Sequence, residues 1–148
     1  MSPANHRRTP SAAQEQMLAT FMAVGPNHAF GLRLDHADGD RVDVSWSIDD
    51  RHLQTYGIVH GGVYCAVVET AGSIGGGLWF GDQGRVVGLA NHTEFLRPVT
   101  HGCSLTATAL PLHRGRTQQL WEVRISDDSA RLMAHGQLRL QNVPHLAE

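Results

Sequence analysis

The run from His60 to Phe80 constrains this chain more than any other stretch of it. Across the run the only fully charged side chain is Glu69. On a helical wheel Val63, Val67, Thr70 and Ile74 fall on one stripe. Gly62, Ala66, Glu69 and Ser73 fall on another, about 100° away. A surface helix carries several charges on its wet face, so a helix this poor in them must be covered on most sides. The rest of the chain has to supply the cover.

The cover reads as strands. Arg41 to Ile48 alternates Val42, Val44, Trp46 and Ile48 with Asp43, Ser45 and Ser47, the period of a half-buried antiparallel strand. Asp38-Gly39-Asp40 joins it as a hairpin to a strand over Phe30 to Asp35. Beyond the glycines Gly75 to Gly77 and the turn Gly81 to Gly84, further strands are expected at Arg85 to Phe95, Cys103 to His113, Thr117 to Ser126 and Arg131 to Gln141. Pro98 to Gly102, Arg114-Gly115 and Asp127-Asp128 separate them, which suggests a four-strand meander. Ahead of all this, Ser11 to Ala23 predicts a short helix with Ser11 as cap, Met17, Leu18, Phe21 and Met22 on its apolar side and Gly25-Pro26 as its stop. The expectation is an α+β fold, with a long central helix, an antiparallel sheet of five to six strands and a short N-terminal helix. Residues 1–10 read as a loose leader and 11–148 as one domain, a size that suits 148 residues.

The formal net charge of −2 offers no broad footprint for nucleic acid or a membrane surface. Arg97, Arg114 and Arg116 still suffice for a local anion site. No stretch reaches the ~18 consecutive apolar residues of a membrane span, and no apolar run follows His6, Arg7 and Arg8 as it would in a secretory signal. The reading is cytoplasmic. Cys65 and Cys103, each in apolar company, are expected to be buried reduced thiols.

Chemistry concentrates at two points of the long helix. Glu69 is a carboxylate expected to be buried, a costly placement unless something holds or uses its charge. At the helix entry, His60-Gly61-Gly62 leaves backbone N–H groups uncovered, where the unpaired donors and the helix dipole make an oxyanion site. A carboxylate and an oxyanion site are the two parts that acyl hydrolysis needs. Eight residues of helix hold them about 12 Å apart, so they cannot easily meet within one subunit. Antiparallel pairing of the helix with its copy would bring Gly61 of one chain to Glu69 of the other, which predicts an obligate dimer.

Gln54, His60-Gly61-Gly62, Glu69 and Ser73, with Val86-Val87-Gly88, the stretch Asn91 to Pro98 and the stretch Leu112 to Trp121, resemble the PaaI-type hotdog thioesterases. These include hydroxybenzoyl-CoA and dihydroxynaphthoyl-CoA hydrolases. The resemblance spans roughly Gly31 to Leu140. It implies a hotdog fold and hydrolysis of an acyl-CoA thioester. Glu69 would be nucleophile or general base, with Ser73 one turn on to orient it. The Gly61 amide would polarise the carbonyl, Gln54 would position the thioester, and His60 would hold the loop and contact the thioester end. It further implies that Gly62, Gly88, Phe95, Leu96, Arg97 and Pro98 line the pantetheine and acyl channel. His113, Arg114, Gly115, Arg116, Thr117 and Gln118 would meet the nucleotide end, with the two arginines suited to its phosphates. Tyr64, Trp79 and Phe80 would face the acyl group without pointing to one substrate class. No cofactor is implied, since CoA belongs to the substrate, and homodimers assembling into a homotetramer are.

Other readings are weaker. The ten histidines show no ligand spacing for a metal. Gly72 to Gly77 lacks the GK[ST] of a phosphate loop, and Ser73 sits in no GxSxG elbow. Two alternatives on the same fold stay open: a hydratase or dehydratase of acyl thioesters, disfavoured because the histidine directly precedes Gly-Gly, and a non-catalytic acyl-CoA-binding protein.

Overall fold

The computed structural model describes residues 9–145. Apart from Thr9 and Pro10, the expected leader lies outside them. Three helices, α1 (Ala12–Met22), α2 (Gly25–Ala29) and α3 (Gly61–Phe80), accompany six strands. The strands are β1 (Arg33–Ala37), β2 (Val42–Ser47), β3 (Gly84–Phe95), β4 (Ser104–Arg114), β5 (Gln118–Asp127) and β6 (Leu132–Pro144). All pairings are antiparallel, in the order β1-β2-β4-β5-β6-β3. The sheet wraps α3, as the resemblance implies.

Three expectations need correction. β3 does not open a four-strand meander. It pairs with β6 at the far edge of the sheet, while β4 leaves through the 96–103 connection to pair with β2. Hydrophobic periodicity identifies strands but carries no information about which neighbour each one takes. The first strand runs from Arg33 to Ala37 rather than Phe30 to Asp35, because α2 occupies the residues before it. α1 already ends at Met22 with Ala23 as its C-cap, and Gly25-Pro26 instead opens α2, where the missing N–H of Pro26 costs nothing.

The helix ends follow from local chemistry. Ser11 and Gln14 cap each other across the start of α1. Of the apolar residues expected to bury α1, only Leu18 is fully covered; Met17 and Phe21 remain exposed. Asn27 ties this region to the core, donating from Nδ2 to the Phe21 carbonyl and accepting at Oδ1 from the Thr70 hydroxyl of α3.

α3 lies unusually close to the sheet on one side. A β-carbon at Gly75 would stand 2.5 Å from the Trp121 ring, one at Gly72 2.7 Å from Leu138, and one at Gly76 2.4 Å from Leu140. These glycines are the reason the indole of Trp121 can be fully buried against the helix. The other side of α3 is open. Gly62 and Glu69 are exposed, and Ala66, Ser73 and Gly77 are half-buried, which is the second stripe of the helical wheel. Beside it runs β3, with Val87, Leu89 and Phe95 exposed and its outer edge unpaired.

Candidate active site

The loop before α3 is held by a buried imidazole. His52, within the 3₁₀ turn Asp50–His52, is fully buried. Its Nδ1 lies 3.0 Å from the Asp49 backbone N, and its Nε2 lies 2.9 Å from the Phe30 carbonyl. The His52 carbonyl then accepts from the His60 N–H at 2.8 Å and fixes the entry to the helix. His60 is the N-cap of α3, and its Nδ1 accepts from the Gly62 N–H at 2.8 Å. The capping histidine therefore takes the second amide of the helix and leaves the first. Among the described residues nothing accepts from the Gly61 N–H.

Gly61 borders a cavity of about 280 Å³, lined also by Gln54, Tyr64, Phe95, Leu96, Arg97 and Pro98. The Gln54 side-chain oxygen accepts from the Tyr56 N–H, which leaves its NH₂ as the free hydrogen-bonding end. Leu96 and Arg97 are anchored by their backbone N–H groups to the Met133 carbonyl of β6. The Phe95 ring covers Gly61 so closely that a β-carbon there would stand 2.4 Å from it. Tyr64 is buried, its hydroxyl has no partner among the described residues, and burial together with the nearby Cys103 pushes its pKa up to about 12.

Glu69 lies elsewhere. It is exposed in the single chain rather than buried, because no element of its own subunit covers the open stripe of α3. Gly88 of β3 presses against it, since a β-carbon at 88 would stand 2.7 Å from Glu69 Oε1. Asn91 Nδ2 reaches Glu69 Oε2 at 3.5 Å while donating to the Cys65 carbonyl at 2.9 Å, and Thr93 donates to Asn91 Oδ1. Ser73 shares the stripe, but among the described residues no hydrogen bond joins it to Glu69.

The remaining expected residues are dispersed. Trp79 and Phe80 stand fifteen or more residues along α3 from Tyr64, about 22 Å away, so they do not share its cavity within one chain. Trp79 packs against Gly39 and under the Arg114 guanidinium, and Phe80 is buried. Arg114 is bound to the Gly39 carbonyl and the Asp40 carboxylate. Arg116 projects from the β4–β5 turn, and Arg97 from the cavity wall, so the three arginines occupy three settings. The His113 ring lies over Gly115, where a β-carbon would stand 2.6 Å from its Nε2. Neither cysteine is buried: Cys65 is half-covered and Cys103 exposed, and both are free.

The sequence profile of the thioesterase superfamily matches residues 56–134, from the loop before α3 into β6. The chain belongs to the thioesterase superfamily. Its chemistry is therefore that of a thioester hydrolase. Among relatives of this thioesterase is the proofreading thioesterase EntH of Cronobacter turicensis, 32% identical over 117 residues covering 79% of this chain and 84% of that one. The 1,4-dihydroxy-2-naphthoyl-CoA hydrolase of Escherichia coli is 29% identical over 82% of this chain and 90% of its own length. Solved structures agree in fold. AziG of S. sahachiroi superposes with a TM-score of 0.80 at 46% identity, covering 82% of this chain and 98% of that chain. A thioesterase of Haemophilus influenzae does so with a TM-score of 0.84 at 29% identity, over 96% of both chains.

Three residues whose hydrogen bonds reach distant parts of the chain escape sequence reasoning: His52 to Phe30, Asn91 to Cys65, and Asn142 to Gly115 and Arg116. His52 lies in a segment that reads only as polar, and its burial depends on Phe30, twenty-two residues away. Asn91 falls within a motif stretch, yet nothing in the spacing says that its amide faces Cys65 and Glu69 across two elements. Asn142 lies beyond the residues the resemblance covers. Among the described residues no helix is long and apolar enough to cross a membrane.

Proposed function

We propose that this protein hydrolyses acyl-CoA thioesters at a site shared by two subunits, with Glu69 of one chain acting on a carbonyl held by Gly61 and Gln54 of the other. One observation carries the reading: Gly61, whose N–H has no acceptor among the described residues, and Gln54 border one cavity, while Glu69 stands exposed farther along the same helix. The two donors suit a thioester oxygen, and charge developing there in the transition state strengthens both bonds. Glu69 adds a carboxylate that attacks the carbonyl or draws a proton from water. Gly88 and Asn91 hold the carboxylate against β3.

The dimer follows from what the single chain leaves bare. The open stripe of α3 and the unpaired edge of β3 both stay bare near Glu69. Two copies meeting there about a two-fold axis run their α3 helices antiparallel, which sets Glu69 of each near Gly61 of the other. Assembly of such dimers into tetramers belongs to the same proposal.

Glu69→Ala tests the chemistry. Turnover of an aroyl- or alkanoyl-CoA, followed by thiol release, should fall more than about a hundredfold while CoA binding persists, since deleting a nucleophile or base costs at least that much. Retention of more than about a hundredth of the rate would assign the chemistry to another group. A single turnover in ¹⁸O-water separates the two roles of Glu69, because label entering the enzyme's carboxylate requires an acyl-enzyme anhydride. Sedimentation that finds a fully active monomer would end the shared-site reading.

A further inference from the structure

The β4–β5 turn is held from beneath by one buried side chain. Asn142 of β6 is 2% exposed. Its Nδ2 donates to the Gly115 carbonyl at 2.9 Å and to the Arg116 carbonyl at 3.2 Å, and its backbone N–H donates to the Thr117 carbonyl at 2.8 Å. Three consecutive carbonyls of the turn thus converge on a single residue. A trans peptide points its N–H opposite to its C=O. With the 115 and 116 carbonyls turned inward, the N–H groups of Arg116 and Thr117 must face outward, and among the described residues neither has a partner. Two adjacent outward amides offer an anion two unpaired donors, and the exposed Arg116 side chain rises from the same turn.

The amide of Asn142 has no freedom to turn. Its Oδ1 accepts from Gln119 Nε2 at 2.7 Å, which fixes which end of Asn142 is NH₂. Gln119, 1% exposed, donates also to the Gly76 carbonyl of α3 and accepts at Oε1 from the Trp121 indole N–H at 2.9 Å. Every polar atom of these two amides is engaged, so the network is rigid. It joins the turn directly to the helix that carries Glu69.

We infer that Asn142, braced by Gln119 and Trp121, is the positioning residue that presents the Arg116 and Thr117 amides, with the Arg116 guanidinium, to a phosphate at the nucleotide end of the substrate. The inference rests on the acyl-CoA reading. Asn142 touches neither the thioester nor the phosphate. It acts through the turn, so its loss should weaken binding of the phosphate-bearing part and leave the acyl chemistry intact.

The test compares one acyl group carried on CoA and on pantetheine, which lacks the nucleotide and its phosphates. Asn142→Ala should raise KM for acyl-CoA about tenfold, the scale of two lost hydrogen bonds, with kcat within about twofold. It should leave kcat/KM for acyl-pantetheine within about twofold. Asn142→Asp keeps the volume and removes both donors, so it should behave as the alanine variant does. An Asp variant with wild-type KM, or an equal loss on both substrates, would overturn the inference. Should both variants fail to fold, the wild type decides: in an ¹⁵N spectrum, 3′,5′-ADP should shift the Arg116 and Thr117 amides, and unmoved resonances would reject the role. Wild-type protein that cleaves neither thioester would refute the thioesterase proposal instead, whatever those amides do.

Discussion

The two sides of α3 are built from the same small residues and do opposite work. On the closed side, Gly72, Gly75 and Gly76 let the helix sink onto Leu138, Trp121 and Leu140, so that the absence of side chains becomes close packing. On the open side, Gly61, Gly62 and Ala66 meet little of their own subunit but Phe95 and the His60 cap, and Glu69 stands in solvent. A small residue on a helix thus has two meanings, and only the neighbouring element decides between them. Where the sheet covers the stripe, smallness makes the fold. Where the sheet stops, it leaves the helix bare to solvent.

Substitutions on either side should separate stability from activity. The largest separation is expected at Glu69→Ala, whose hundredfold loss of turnover should come with a melting temperature unchanged within a degree or two, because the side chain buries nothing in the chain. An equally large drop in melting temperature would erase the contrast between the sides. Next comes Gly75→Ala on the closed side. Its methyl group would meet the immobile Trp121 ring, at a cost of about 1–3 kcal/mol, read as a lower urea midpoint with kcat per folded molecule near wild type. Leu89→Arg at the exposed edge strand should weaken self-association at least about tenfold in sedimentation and reduce activity in proportion to the dimer lost, with the isolated subunit still folded. Gly88→Ala should lower kcat about tenfold, since its methyl group displaces the Glu69 carboxylate and little else. Ser73→Ala, with no bond to Glu69 in the single chain, should cost less than about threefold; a larger loss would show that Ser73 engages Glu69 or its water once two subunits meet.

The elements were legible in the chain's own residues. Alternation in Val42 to Ile48, the turn at Asp38-Gly39-Asp40 and the sparsely charged run ending at Phe80 all correspond to structure at the expected places. The stripe holding Gly62, Ala66, Glu69 and Ser73 was separable too, although its exposure was not. A helical wheel reports which residues lie together; what covers them depends on the strand order. That order was the part sequence could not supply, because β3 and β4 have the same periodicity whether they pair with each other or, as here, with β6 and β2. The same blindness hid Asn142 and His52, whose partners lie twenty or more residues away. Arg114 illustrates the converse. Its charge and position suggest a phosphate, yet Asp40 and Trp79, remote in sequence, already hold it.

The unpaired rim of β3 has a thermodynamic corollary. If the proposed dimer covers the row of peptide groups that the single subunit leaves to water, its stability gains a term from association and becomes linked to it by mass action. The melting temperature should then climb with protein concentration. Dilution, which is harmless to a self-sufficient enzyme, would dissolve the catalyst and loosen its scaffold at the same time.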